Sequence, residues 1–310
     1  MSMETSTSLG TSRSTSASAH QSLLPEPVHL TVDGASIATY LLVPEGGTPV
    51  GDVVFCHGTP WSSEVWAQAA RHLASSHRVF LWDMPGYGRS TKDPTVPVDL
   101  ASQMSRFARL LAHWRVDRPH VVAHDIGGAV ALGAHLLHDA PYAGLFLWDV
   151  VTLDPWGSPF FRLVADHAEV FTELPAALHA ALVREYIAGA ARHQLTPGWL
   201  DALSRPWWGA SGQSAFYRQI AALRPAHTRP IVARLGEVNC AVAIGWGEQD
   251  PWIPVDQAIR LQDLLPGSPP VSTLGEVGHL APVESPSRVC RALRDWLTGS
   301  SFNEPNFQGS

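Results

Sequence analysis

From about His29 onward the chain repeats one pattern, a short unbroken apolar run followed by a longer amphipathic stretch. The runs are VVFCH at 53–57, VFLWD at 79–83, HVVAHD at 120–125, LFLWDVV at 145–151 and AVAIGWG at 241–247. Helical periodicity fills 63–75, 98–115 and 127–139 between them. A strand that is apolar on both faces must be covered on both faces. A parallel sheet flanked by helices meets that demand. The expected class is therefore α/β, with a mostly parallel central sheet and helices on either side. HLTVDG and IATYLLVP add two antiparallel strands around a turn at Asp33-Gly34. Ligands of such sheets sit outside the carboxyl ends of the strands.

One interval breaks the alternation. Residues 154–234 are rich in Ala, Leu, Trp, Pro and His and read as several helices with no strand. They predict a helical lid inserted before the last strands. The expected organisation is a core at 28–153 and 235–299, a lid at 154–234, a disordered Ser/Thr-rich tail at 1–27 and a flexible tail at 300–310. The tail at the start lacks the apolar stretch of a secretory signal.

Composition removes several function classes. The net charge is −7 with no basic run, so nucleic acid is not an expected partner. No apolar run reaches the roughly 18 residues that span a bilayer, so no membrane is expected either. Cys56, Cys240 and Cys290 are scattered, which fits neither a disulfide framework nor a metal cluster. Free thiols suit a reducing compartment, and a cytoplasmic location is expected. A homodimer is compatible with such a chain.

Four motifs carry chemistry. AHDIGGAVAL at 123–132 follows an apolar strand and opens a helix. A nucleophile on so sharp a turn needs small residues two before and two after it. Ala123 and Gly127 occupy those places, and the nucleophile position holds Asp125. The plainer alternative is that Asp125 caps the helix. FCHGTPWSSEVW at 55–66 is a His-Gly turn that can direct a backbone N–H into the site. An oxyanion hole built from the backbones of Thr59 and Ile126 is expected. GWGEQDPWIP at 245–254 brings Asp250 out of a strand into a Pro-rich loop, where it can orient a histidine. GEVGHLAPVESP at 275–286 places His279 before the last helix. The order is nucleophile, acid, histidine. Asp149, at the end of LFLWDVV, is the alternative acid.

Together HGTP, MPGYGRS, AHDIGG, GEQD and GH resemble the α/β-hydrolase superfamily over residues 28–298. The aspartate nucleophile resembles its epoxide hydrolase and haloalkane or haloacetate dehalogenase branch. The resemblance implies that Asp125 attacks an sp3 carbon to give an alkyl-enzyme ester, which water activated by His279 then hydrolyses. No metal or organic cofactor is needed. In haloalkane enzymes a Trp usually follows the nucleophile, and in haloacetate enzymes an Arg. Here Ile126 follows Asp125 and Thr59 stands in the HGxP turn, so the familiar halide clamp is missing. Epoxide hydrolases protonate the opening oxygen with lid tyrosines. SAFYRQI at 214–220 resembles the segment around one, which nominates Tyr217, with Tyr186 a weaker candidate. The aromatic-rich lid suggests a small-molecule substrate that is apolar or aromatic, lined by Trp61, Trp156, Tyr186, Trp207, Trp208 and Trp252. The expected activity is opening of an epoxide to a vicinal diol. The alternatives are a dehalogenase, another α/β-hydrolase reaction (ester or C–C hydrolysis, or a biosynthetic lyase or cyclase) and a noncatalytic receptor.

Overall fold

The alternation folds into one eight-stranded sheet. The computed structural model describes residues 20–299, so most of the N-terminal tail and all of 300–310 lie outside the described residues. β1 (Val28–Val32) and β2 (Ala35–Leu42) form the antiparallel hairpin, with Val32 opposite Ala35. Asp33 and Gly34 turn it at φ 51° and 74°. There follow β3 (Asp52–Cys56), α1 (Ala67–Leu73), β4 (Arg78–Trp82), α2 (Leu100–Trp114), β5 (His120–His124), α3 (Ile126–Leu137) and β6 (Gly144–Trp148). Six helices then occupy the interval where no strand was expected: α4 (Pro159–Asp166), α5 (Ala168–Thr172), α6 (Ala176–Ala188), α7 (Pro197–Ser204), α8 (Gly209–Ala222) and α9 (Arg229–Val232). β7 (Ala241–Gly247), α10 (Asp256–Leu264), β8 (Val271–Leu274), α11 (Ala281–Glu284) and α12 (Pro286–Leu297) complete the chain.

The sheet order is β1-β2-β4-β3-β5-β6-β7-β8. β2 is antiparallel to β1 and β4, and every later pairing is parallel. The central strands are apolar because both their faces are covered; Val121, Val122, Leu145 and Phe146 are fully buried. α2 shows why its sequence is helical. Leu100, Met104, Phe107 and Leu111 recur on one face and are buried. The Asp99 side chain caps its start by accepting from the Ser102 N–H at 3.0 Å. α2 packs on α3, and α12 packs on α1. Trp296 of α12 meets Phe146 edge-on, 5.4 Å between ring centroids. No helix among the described residues is long and apolar enough to cross a membrane.

Three differences from the sequence reading have physical causes. The apolar run at 145–151 ends as a strand at Trp148, because Asp149 turns the chain at φ 45°. β8 was not legible, because its residues VSTL are half polar and follow two prolines. It is an edge strand and needs no continuous apolar run. Residues 20–27 were assigned to the disordered tail, yet they lie on the body of the protein. His20 and Ser22 bond Glu64 at 2.8 and 2.6 Å, and the Arg71 side chain donates to the Leu23 carbonyl at 2.6 Å.

Phe146 lies under Trp148 and Trp296 with no exposure, so Phe146→Ala is expected to cost about 3–5 kcal/mol. Val28→Ala, at a residue 65% exposed, is expected to change stability by less than about 0.5 kcal/mol. Denaturant midpoints measured at constant slope check both values.

Candidate active site

Five loops leave the carboxyl ends of neighbouring parallel strands. They carry Thr59 after β3, Asp125 after β5, Asp149 after β6, Asp250 after β7 and His279 after β8. The parallel register therefore gathers residues that are up to 220 positions apart in sequence, from Thr59 to His279.

Asp125 sits between β5 and α3 at φ 53°, ψ −127°, a region that costs an ordinary residue about 1–3 kcal/mol. Its backbone is held on three sides. The N–H donates to the Trp148 carbonyl at 3.3 Å, and the carbonyl accepts from the Gly128 and Val151 N–H groups at 2.9 and 3.0 Å. Space around the turn allows no extra carbon. A Cβ on Gly127 would lie 2.5 Å from the His57 carbonyl oxygen, and one on Gly58 would lie 2.5 Å from Asp125 Oδ1. The Asp125 side chain makes no capping bond to its own helix. Instead Oδ1 accepts from the Thr59 N–H at 2.6 Å, and Oδ2 lies 3.4 Å from His279 Nε2. Ile126 is the first residue of α3, where amide N–H groups have no acceptor within the helix.

His279 is fully buried. Its Nδ1–H donates to Asp250 Oδ2 at 2.7 Å, and Asp250 Oδ1 accepts from the Trp252 and Ile253 N–H groups at 2.7 and 2.9 Å. The His279 backbone is fixed too, its N–H on the Ala190 carbonyl at 2.9 Å and its carbonyl on His124 Nε2 at 2.8 Å. Burial alone would push the imidazole pKa down. Asp250 and Asp125 outweigh it and hold the pKa well above the ordinary value. His124, buried beside His279, is driven the other way, to about 3, by burial and by the charge of His279.

Asp149, the alternative acid, does not bond His279. Its Oδ1 accepts from the Gly247 N–H at 2.7 Å, and its buried Oδ2 has no partner. Burial, and then the negative charge of Asp250, raise its pKa well above the usual carboxylate range. Burial therefore favours the neutral form of this group behind Asp250.

Above Asp125 is a cavity of about 370 Å³, lined by Thr59, Ile126, Ser158, Trp156, Tyr186 and Trp252 among others. Trp252 stacks between Trp61 and Tyr186, with centroids 5.7 and 4.7 Å away, and its ring also lies 5.0 Å from His279. Tyr217 does not line this cavity. Its O–H donates to His179 Nδ1 at 2.9 Å, while His179 Nε2 donates to the Trp207 carbonyl at 2.9 Å. Tyr186 takes the place expected of Tyr217. Burial and then the charge of Asp125 raise the Tyr186 pKa, with the Ser158 hydroxyl pulling the other way. Trp207 packs outside the cavity with its N–H on the Pro60 carbonyl at 2.9 Å, and Trp208 is 39% exposed.

Sequence reasoning missed Gln219. Its Oε1 accepts from the Thr59 hydroxyl at 2.8 Å and the Tyr87 hydroxyl at 2.6 Å, tying α8 to the loop that holds the Asp125 carboxylate. The signal lay in the right segment. Two positions along a helix are about 200° round it, so with Gln219 turned to Thr59, Tyr217 two residues before it points elsewhere.

A model of the family described as "Alpha/beta hydrolase family" matches residues 53–292. The structure resembles the crystal structure of an alpha/beta hydrolase fold protein from Burkholderia ambifaria with a TM-score of 0.84 and 39% identity, over 89% of this chain and all of that one. Among curated proteins the chain is 25% identical to a 2-hydroxy-6-oxononadienedioate/2-hydroxy-6-oxononatrienedioate hydrolase of Dechloromonas aromatica, over 81% of this chain and 88% of that protein. It is 27% identical to a dihydrolipoyllysine-residue acetyltransferase component of an acetoin cleaving system from Cupriavidus necator, over 80% of this chain but only 63% of that longer protein.

In a pH titration followed by imidazole NMR, His279 is expected to have its midpoint above the ordinary value of about 6.5. Asp250→Asn and Asp125→Asn are each expected to lower it. A raised folded pKa stabilises the fold fully below about pH 6.5 and is lost as pH rises through the folded midpoint. The destabilisation caused by Asp250→Asn should therefore shrink as pH increases.

Proposed function

The chain belongs to the alpha/beta hydrolase family, and on that premise we propose that it hydrolyses an epoxide to a vicinal diol through an ester on Asp125. The observation that carries this reading is the Asp125 carboxylate itself, with Oδ1 on the Thr59 N–H and Oδ2 facing His279 Nε2. A carboxylate in place of a hydroxyl favours displacement at an sp3 carbon over acyl transfer.

In the first step Asp125 Oδ2 attacks one epoxide carbon, and the C–O bond to the ring oxygen breaks. Tyr186 gives its O–H proton to that oxygen. Its raised pKa keeps the phenol protonated until then. Alkylation turns Asp125 into a neutral ester and removes one of the two negative charges that hold the His279 proton. His279 can then give that proton up to the Tyr186 phenolate, by way of solvent, and act as a base. It takes a proton from water, the hydroxide adds to the Asp125 carboxyl carbon, and the oxyanion forms on Oδ1 between the Thr59 and Ile126 N–H groups. Collapse breaks the ester C–O bond, and the His279 proton goes to the departing alcohol oxygen. The second water proton, left on the Asp125 carboxyl group, returns to His279 and restores both residues.

Tyr186 replaces Tyr217 in this scheme because the Tyr217 hydroxyl is held by His179. A halide would need convergent N–H donors. The Trp156 and Trp207 N–H groups are committed to Thr228 Oγ1 at 3.1 Å and the Pro60 carbonyl at 2.9 Å. The helices from α4 to α9 would serve as the lid that excludes water. Free thiols at Cys56, Cys240 and Cys290 suit a cytoplasmic location.

A single turnover with styrene oxide in heavy-oxygen water is expected to place label in the carboxyl group of Asp125, read by peptide mass spectrometry. An unlabelled Asp125 with diol formed would overturn the covalent route. Asp125→Ala is expected to abolish diol formation. Tyr186→Phe is expected to slow it about 10²–10⁴-fold, while Tyr217→Phe changes it far less.

A further inference from the structure

A second apolar space adjoins the cavity of Asp125. It is an open groove of about 700 Å³ lined by Phe160 of α4, by Leu182, Glu185 and Gly189 along α6 and its end, and by Tyr186 and Trp252. Tyr186 and Trp252 line both spaces. Their rings stack at 18°, and Phe160 leans on Tyr186 with centroids 4.8 Å apart. Glu185 and Gly189 are exposed and mark the solvent side.

Glu185 is the one charged side chain among the residues lining the groove, and its carboxylate can remain in water. Its apolar lips continue outward. Leu178, one turn before Leu182 on α6, is 59% exposed, and Leu163, one turn after Phe160 on α4, is 50% exposed. Apolar surface concentrated like this around a site marks a place that something apolar covers. The inner cavity is the smaller of the two spaces, about 370 Å³ against about 700 Å³ for the groove. It suits a reacting head group more than a whole large substrate.

We propose that the groove is the subsite for an apolar tail of the substrate. The epoxide ring sits at Asp125, and an alkyl chain passes the Tyr186–Trp252 pair and lies between Phe160 and Leu182. The substrate class is a terminal or near-terminal epoxide on a long alkyl chain. The inference rests on the epoxide reading for its head group alone. The two side chains that line both spaces tie the groove to the reaction rather than to a second protein.

The test is kcat/KM for terminal epoxides of increasing length, from propene oxide to dodecene oxide, each below its micelle concentration. The expected result is a rise of about two- to fourfold per methylene once the chain reaches the groove. Leu182→Arg puts a charge in the groove. Gly189→Leu fills it, and Gly189 has an ordinary helical φ of −69°, so a side chain does not strain the backbone. Each variant is expected to lower the ratio of dodecene oxide to propene oxide turnover by tenfold or more, mainly through KM. A flat chain-length profile overturns the proposal, and so does a ratio that both variants leave unchanged. If no epoxide of any length reacts, the proposed reaction fails and the groove is judged by dodecanol binding, read from tryptophan fluorescence. Binding weakened tenfold or more in Leu182→Arg supports the tail subsite; equal binding in both proteins, or none, overturns it.

Discussion

A carboxylate can stay at φ 53° between a buried strand and a buried helix only if its surroundings leave the backbone no relaxed alternative. That constraint organises the centre of this protein. Asp125 is bonded through its N–H to β6 and through its carbonyl to Gly128 and Val151. Gly58 and Gly127 are there because their neighbours approach too closely for a Cβ. The strain is local and the compensation is spread over the loops after β3 and β6. What it achieves is exposure of a carboxylate at the floor of the cavity, pointed away from its own helix.

The second organising element is the row of acids at the strand ends. Asp250 and Asp125 flank His279, and their charges outweigh the burial that would otherwise strip its proton. Asp149 stands behind them with one oxygen unpaired, and burial favours its neutral form. Were it ionised, a third negative charge would share a buried space with Asp250, which the low local dielectric disfavours. The sequence put Asp250 forward as the acid and Asp149 as the alternative, both at strand ends. Only the bond from His279 Nδ1 to Asp250 separates them.

The aromatic layer above Asp125 has a different logic. Trp61, Trp252 and Tyr186 stack in sequence, so three distant segments form one wall. Stacking fixes ring planes without consuming N–H or O–H groups. The Tyr186 ring is therefore positioned by Trp252, while Tyr217 is positioned by a hydrogen bond that occupies its hydroxyl. The two tyrosines thus differ in place: Tyr186 lines the cavity of Asp125, and Tyr217 does not. Gln219 adds a polar tie from the same helix as Tyr217 to Thr59, so the helical segment and the loop after β3 are coupled through one amide.

The sequence by itself determined the sheet apart from its edge strand β8, and the strand ends at which Asp125, Asp250 and His279 stand. Doubly covered strands must be apolar throughout, a sharp strand-to-helix turn must carry small residues around its tip, and both facts are written in consecutive residues. Thr59, Asp125, Asp250 and His279 were legible for that reason, each standing in a short motif next to a recognisable strand. Tertiary structure alone decided what depends on rotation about a helix or on contacts between distant segments. Which tyrosine faces Asp125, which acid meets His279, that Gln219 holds Thr59, and that Trp207 and Trp208 lie outside the cavity all depend on how the helices from α4 to α9 seat on the sheet. Their short, mixed sequences fix that they are helical. They do not fix which face each presents, because that face is chosen by packing against residues more than a hundred positions away.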